Sequence, residues 1–138
     1  CIVMPDVLKF NNVPIHILAG EMDDWVPAAA CNEIVVAAKN AGYDIGITIY
    51  PGASHSFDRN QEVVYNKDAY SFTDCRLKLT EEGIVETINF GFPLSSPTFQ
   101  KIGLAFCADK GTHWGGNEYA RKHSLNFSKE FMKTHLID

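Results

Sequence analysis

Asp23 and His55 are the residues best placed in this sequence to do chemistry. Asp23 follows Gly20 by three residues, and Gly20 closes the apolar run Val13-Pro14-Ile15-His16-Ile17-Leu18-Ala19-Gly20. His55 follows Tyr50 by five residues, and Tyr50 ends a run, from Ile45, that is rich in β-branched side chains. Short apolar runs of this kind predict buried parallel strands. In open α/β sheets, ligands bind beyond the C-terminal ends of such strands. A carboxylate there can accept a hydrogen bond from one imidazole nitrogen. That bond fixes the tautomer and leaves the other nitrogen free to take a proton from a nucleophile. An Asp in such a loop is most often a cap or turn former, and a loop His is most often solvated. The matching strand-end positions of the two put the acid–base pair level with those readings.

The intervening segment must be a helix if the two strand ends are to share an edge. Val26, Ala30, Ile34 and Ala38 are spaced by four, with Cys31 and Val35 alongside, giving one apolar face over about Pro27 to Ala41. Pro27 suits the first helical position and Gly42 the residue just past the end. Strand, helix and strand together predict a parallel βαβ unit. After His55 the pattern changes. Cys75, Leu77 and Leu79 alternate with Arg76 and Lys78, a turn follows at Thr80–Gly83, and Ile84, Glu86, Ile88 and Phe90 share the next face, which predicts a hairpin. A short strand is expected over Ile102–Cys107 and a closing helix over 117–135. Ala120, Phe127 and Phe131 lie on one side of that helix, with Leu125, Met132 and Leu136 adjoining. Roughly sixty residues separate His55 from this helix, long for one connection. The expected organisation is one partial domain over 1–138, with its core at 13–58 and 117–138 and a β-rich insertion at about 59–116.

The chain has 138 residues, 46% hydrophobic and 21% charged, an ordinary globular balance. Twelve basic and 17 acidic residues give a net charge of −5, which argues against nucleic acid or an anionic membrane surface as partner. No apolar run approaches ~18 residues, so no membrane span is expected. The chain opens on Cys1 without a visible signal segment and reads as a cut end. Cysteines stand at 1, 31, 75 and 107, with no C-x-x-C pair. They are either free buried thiols or two disulfides. If bridged, the expected pairs are Cys1–Cys31 and Cys75–Cys107, with a periplasmic or secreted location; otherwise a cytoplasmic one is expected.

Gly20-Glu21-Met22-Asp23-Asp24-Trp25-Val26-Pro27 resembles the acid-bearing loop of the dienelactone hydrolase family. Tyr50-Pro51-Gly52-Ala53-Ser54-His55-Ser56-Phe57-Asp58 resembles its histidine loop, in which His is followed by one residue and Phe. Cys31 matches a cysteine frequent in one branch, and Gly115-Gly116-Asn117 with Ala120–Leu136 resembles that branch's last helix. The resemblance implies an α/β-hydrolase fold, of which this chain would be the C-terminal half. The implied chemistry is hydrolysis of a small-molecule ester or lactone, with Asp23 as acid and His55 as base. Asp24 is the rival acid; with Asp23 chosen for its spacing from Gly20, Asp24 becomes a helix-start residue. Trp25 and Phe57 are candidates to contact substrate, Trp25 either flooring the pocket or stapling the helix start. No metal or organic cofactor is implied.

The departure from the family lies in the nucleophile. A G-x-[SC]-x-G turn is expected, and these residues contain none; Gly42–Gly46 and Gly111–Gly115 have the spacing but carry Asp44 and His113 at the centre. The chain alone is therefore expected to be inactive. A half-sheet with an unpaired strand is expected to associate with itself or with the absent half. The alternative function is a non-enzymatic binding domain of the same fold. Of the other histidines, His16 is expected to pack within its strand, His113 to lie in a surface turn, and His123 and His135 to be solvated. No H-x-x-x-H spacing suggests zinc.

Overall fold

The elements run β1 (Val3–Met4), β2 (Ile15–Gly20), α1 (Ala28–Asn40), β3 (Ile45–Tyr50), β4 (Val64–Ser71), β5 (Leu77–Leu79), β6 (Val85–Thr87), α2 (Pro97–Leu104), β7 (Asp109–Trp114) and α3 (Glu118–Leu136). They come from a computed structural model that describes residues 1–6 and 9–136. β2 and β3 pair in parallel without a break, from Ile15 opposite Ile45 to Gly20 opposite Tyr50. The two strands therefore end level, and the loops that follow them leave the sheet side by side. α1 makes the crossover between them. It buries Ala28, Ala30, Cys31, Ile34, Val35 and Ala38, the face that the four-residue spacing predicts. Cys31 packs with Ala19 and Ala28, while Val35 and Ala38 pack with Ile45. The helix stops at Gly42, whose φ of 89° suits a residue without a Cβ, and whose amide returns to the Lys39 carbonyl.

The expected βαβ unit is present, and the architecture is mixed α/β. Among the described residues the larger parallel sheet of the expected fold is not seen. The described strands form three small sheets: the parallel β2–β3 pair, the antiparallel β4–β7 pair, and β1–β5–β6. In the last of these β1 runs parallel to β5, and β5–β6 is the expected hairpin.

The segment expected as a strand over Ile102–Cys107 is instead the end of α2 and the turn after it. Ser96 caps α2, accepting from the Phe99 amide at 3.3 Å, and Pro97 takes the first position. With that start the apolar residues follow a helical period, not a strand's alternation. β4 and β7, absent from the sequence expectation, pair between Val64–Trp114 and Ser71–Asp109, with a register shift between Asn66 and Tyr70.

α3 docks on the β2–β3 unit through its first half. Ala120 is buried with Tyr50 and Ala53. Tyr119, His123, Phe127, Phe131 and His135 succeed each other every four residues, their neighbouring rings 4.5–6.2 Å apart. Phe127 meets His16 of β2 at 4.4 Å. Leu125, Met132 and Leu136, expected beside the apolar face, are all more than half exposed. His16 packs as expected and shares a hydrogen bond with Thr48 Oγ1 at 2.9 Å. Its burial, with Lys39 nearby, holds it below the ordinary histidine range.

Two disulfides, Cys1–Cys31 and Cys75–Cys107, join the expected partners. Among the described residues no helix is long and apolar enough to cross a membrane.

Candidate active site

Gly20 sets how closely the two loops can approach. A Cβ there would collide with the Ala53 carbonyl oxygen and lie 2.9 Å from that of Ser54. Its absence lets the backbones touch. The Glu21 amide then donates to the Tyr50 carbonyl at 3.0 Å, and the Met22 amide to the Ala53 carbonyl at 2.9 Å. A side chain adds to this seam, since the Gly52 amide donates to Glu21 Oε2 at 2.9 Å. The Gly20→Ala variant must separate these backbones. It should lose about 2 kcal/mol of stability, in the range of overpacked cores, with the loss read from denaturant unfolding. An unchanged midpoint would show that the loops yield without cost.

Across this seam His55 Nδ1 donates to Asp23 Oδ2 at 2.9 Å. Asp23 Oδ1 accepts from the amides of Trp25 and Val26, at 3.0 and 2.8 Å. One oxygen thus orients the imidazole while the other is locked by the turn into α1, so the carboxylate cannot swing away. The hydrogen bond to Asp23 raises the pKa of His55 above its ordinary value; burial opposes this, and the charges of Asp23 and Asp58 add to the rise. With Nδ1–H committed to Asp23, Nε2 is the nitrogen left for proton transfer. The residue after His55, Ser56, has φ 58°, an uncommon conformation for a residue with a Cβ.

A cavity of about 420 Å³ opens beside the pair. Ile17, Leu18, Val26 and Phe57 line it together with Asp23 and His55, and the Cys1–Cys31 bridge forms part of its wall. Phe57 also packs on Tyr50, ring centres 5.0 Å apart. Trp25 is not among the lining residues; its ring lies against the His55 imidazole at 4.7 Å. Among the described residues no group of three or more His, Cys, Asp or Glu is arranged to hold a metal ion.

Asp24 does not start the helix as expected. The amides that a helix-start carboxylate would take are held by Asp23, and the Asp24 carboxylate turns to β7. There it accepts from His113 Nδ1 at 2.7 Å and from the His113 amide at 2.8 Å. His113 therefore lies in a strand, not a surface turn. No local sequence signal marks this pairing, because 89 residues separate its members. His123 is exposed, as expected, and also shares a hydrogen bond with the Tyr50 hydroxyl at 3.0 Å. Burial pushes the Tyr50 hydroxyl above the ordinary tyrosine range.

A family model described as the dienelactone hydrolase family matches residues 7–77. The match takes in β2, α1, β3, both loops and β4. α3, where the same likeness was expected, lies outside it. The match also occupies the first part of the chain, which does not fit the narrower expectation of a C-terminal half alone. No curated protein and no solved structure matches.

Proposed function

Because the chain belongs to the dienelactone hydrolase family, we propose that it takes part in hydrolysis of a small-molecule carboxylic ester or lactone, with Asp23 as the acid and His55 as the general base. The observation that carries this reading is the 2.9 Å hydrogen bond between His55 Nδ1 and Asp23 Oδ2 beside a largely apolar cavity. In the proposed reaction a Ser or Cys nucleophile attacks the carbonyl carbon as His55 Nε2 takes its proton. Asp23 stabilises the resulting imidazolium, and His55 returns the proton to the leaving oxygen. Water then repeats the sequence on the acyl intermediate. Phe57 contributes cavity wall against the substrate, and Trp25 acts on the histidine ring.

The underlying fold in this proposal is that of an α/β-hydrolase, with 59–116 as an insertion. The nucleophile comes from sequence other than these residues, which hold no G-x-[SC]-x-G turn. β2 and β3 form a sheet of two, and their outer edges favour association with a further strand. The two disulfides favour an oxidising compartment.

The test is hydrolysis of a chromogenic short-chain ester. These 138 residues alone should give no turnover. Joined to a segment bearing the nucleophile turn, they should hydrolyse the ester, and His55→Ala should abolish the activity. Turnover by the chain alone that vanishes in His55→Ala would show that the nucleophile is already present. Turnover indifferent to His55 in the joined protein would remove the proposed base.

A further inference from the structure

Within three consecutive residues, the end of β7 grips both loops that carry the acid–base pair. His113 holds Asp24, the residue next to Asp23, by its amide and its ring. Trp114 pairs with His55 as a parallel bridge, and the Gly115 amide donates to the His55 carbonyl at 2.9 Å. The partner strand reinforces the grip on the acid side. Ser71 at the end of β4 donates to the Asp24 carbonyl at 2.6 Å, as does Thr73 at 3.2 Å, and the Phe72 amide donates to the Trp25 carbonyl at 3.0 Å. The direct Asp23–His55 bond is therefore paralleled by a second path, running from Asp24 through His113, Trp114 and Gly115 to His55.

We infer that His113 is a positioning residue for the acid–base pair, setting where the loop that carries Asp23 stands against His55 through its two-point hold on Asp24. The inference rests on the reading of Asp23 and His55 as acid and base. Two donors on two carboxylate oxygens fix the rotation of the Asp24 side chain; one donor leaves it free to turn. That hold ties the chain at Asp24 to β7, and Asp23, the residue before it, is carried on the same stretch of backbone. Tyr65, opposite His113 on β4, packs its ring 4.9 Å from the imidazole and holds it in place. The His113 and Asp24 side chains are 51% and 37% exposed, so water screens their attraction and little stability is at stake. What the contact controls is geometry, and proton transfer responds sharply to small displacements.

The experiment compares His113→Ala with His113→Asn, whose side-chain amide can still donate to Asp24. In the chain itself, NMR follows the His55 Nδ1 proton and the titration of the His55 ring. In the protein carrying its nucleophile, kcat and KM are measured on the chromogenic ester. His113→Ala should move the His55 titration towards the ordinary histidine value and lower kcat about tenfold at nearly constant KM. Its unfolding midpoint should change little, and His113→Asn should restore most of the loss. A His55 titration unaltered in His113→Ala overturns the inference. So does failure of His113→Asn to restore, which would assign the effect to lost packing on Tyr65. Asp23→Asn separates this from the underlying reading. If it shifts His55 while His113→Ala does not, only the positioning role fails; if it leaves His55 unmoved, the acid–base reading fails with it.

Discussion

Asp23→Asn should lower ester turnover by about four orders of magnitude, the loss typical when the orienting carboxylate of a Ser-His-Asp site becomes an amide. The fold should survive the change. Asn can keep accepting through its carbonyl oxygen from the Trp25 and Val26 amides that Asp23 Oδ1 now holds. Its –NH2 group then faces His55 Nδ1, where the carboxylate oxygen stands in the native chain. Two donors cannot share that contact, so the ring must shed its Nδ1 proton and carry one on Nε2. The nitrogen meant to act as base is thereby blocked. Stability gives an independent reading of the same bond. In the native chain the hydrogen bond to Asp23 raises the His55 pKa over its unfolded value. Folding then favours the protonated ring. That contribution is full below the ordinary histidine pKa and fades as pH rises through the folded, higher value. The stability gap between native chain and variant should therefore be widest just below the ordinary histidine range and narrow towards alkaline pH. A gap that widens with rising pH would contradict the assignment.

The second large effect concerns Cys75–Cys107. The bridge closes a loop with a sequence separation of 32, and Cys75 is fully buried. A loop of that length restricts the unfolded chain enough to contribute about 3–4 kcal/mol. The double replacement Cys75→Ala, Cys107→Ala should lose about that much, measured as a drop in the guanidinium midpoint, with a steeper slope as the freed unfolded chain exposes more surface. Small domains are stable by only about 5–15 kcal/mol, so this is a large fraction of the total. Cys1–Cys31, with a separation of 30, closes a loop of similar size. Reducing both should leave the chain largely unfolded at warm temperature. A loss below about 1 kcal/mol for the double replacement would mean that the fold already constrains these segments without the bridge.

What could be read from the sequence tracks how local its cause is. β2, α1 and β3 are apolar runs with a Pro at one helix end and a Gly at the other, and each cue acts within a few residues. The spacing of Asp23 from Gly20 singled it out from Asp24, and Asp23 is the carboxylate that meets His55. β4 escaped because nearly all its side chains are exposed and polar ones interrupt any alternation. It is a strand because β7 pairs with it, 38 or more residues away along the chain. The role of Asp24 failed for the same reason: its partner His113 is distant in sequence, and nothing near Asp24 announces it. α2 was legible in principle. Ser96-Pro97 is a helix start, but the apolar run from Ile102 to Cys107 outweighed it. On α3, the ladder containing His123 mixes histidines with Tyr119, Phe127 and Phe131 at four-residue spacing, so no single residue type marks it.

The contact at Gly20 separates two tasks that a binding site ordinarily mixes. Backbone atoms of Gly20, Ala53 and Ser54 fix how closely the loops approach. Ile17 and Val26, by contrast, line the cavity, while Phe57 both lines it and packs against Tyr50 and Ala53. Variation can therefore accumulate in the walls while the acid–base distance stays constant. A lineage could explore new ligands there, and a combinatorial library could do the same, without re-evolving the alignment of Asp23 with His55.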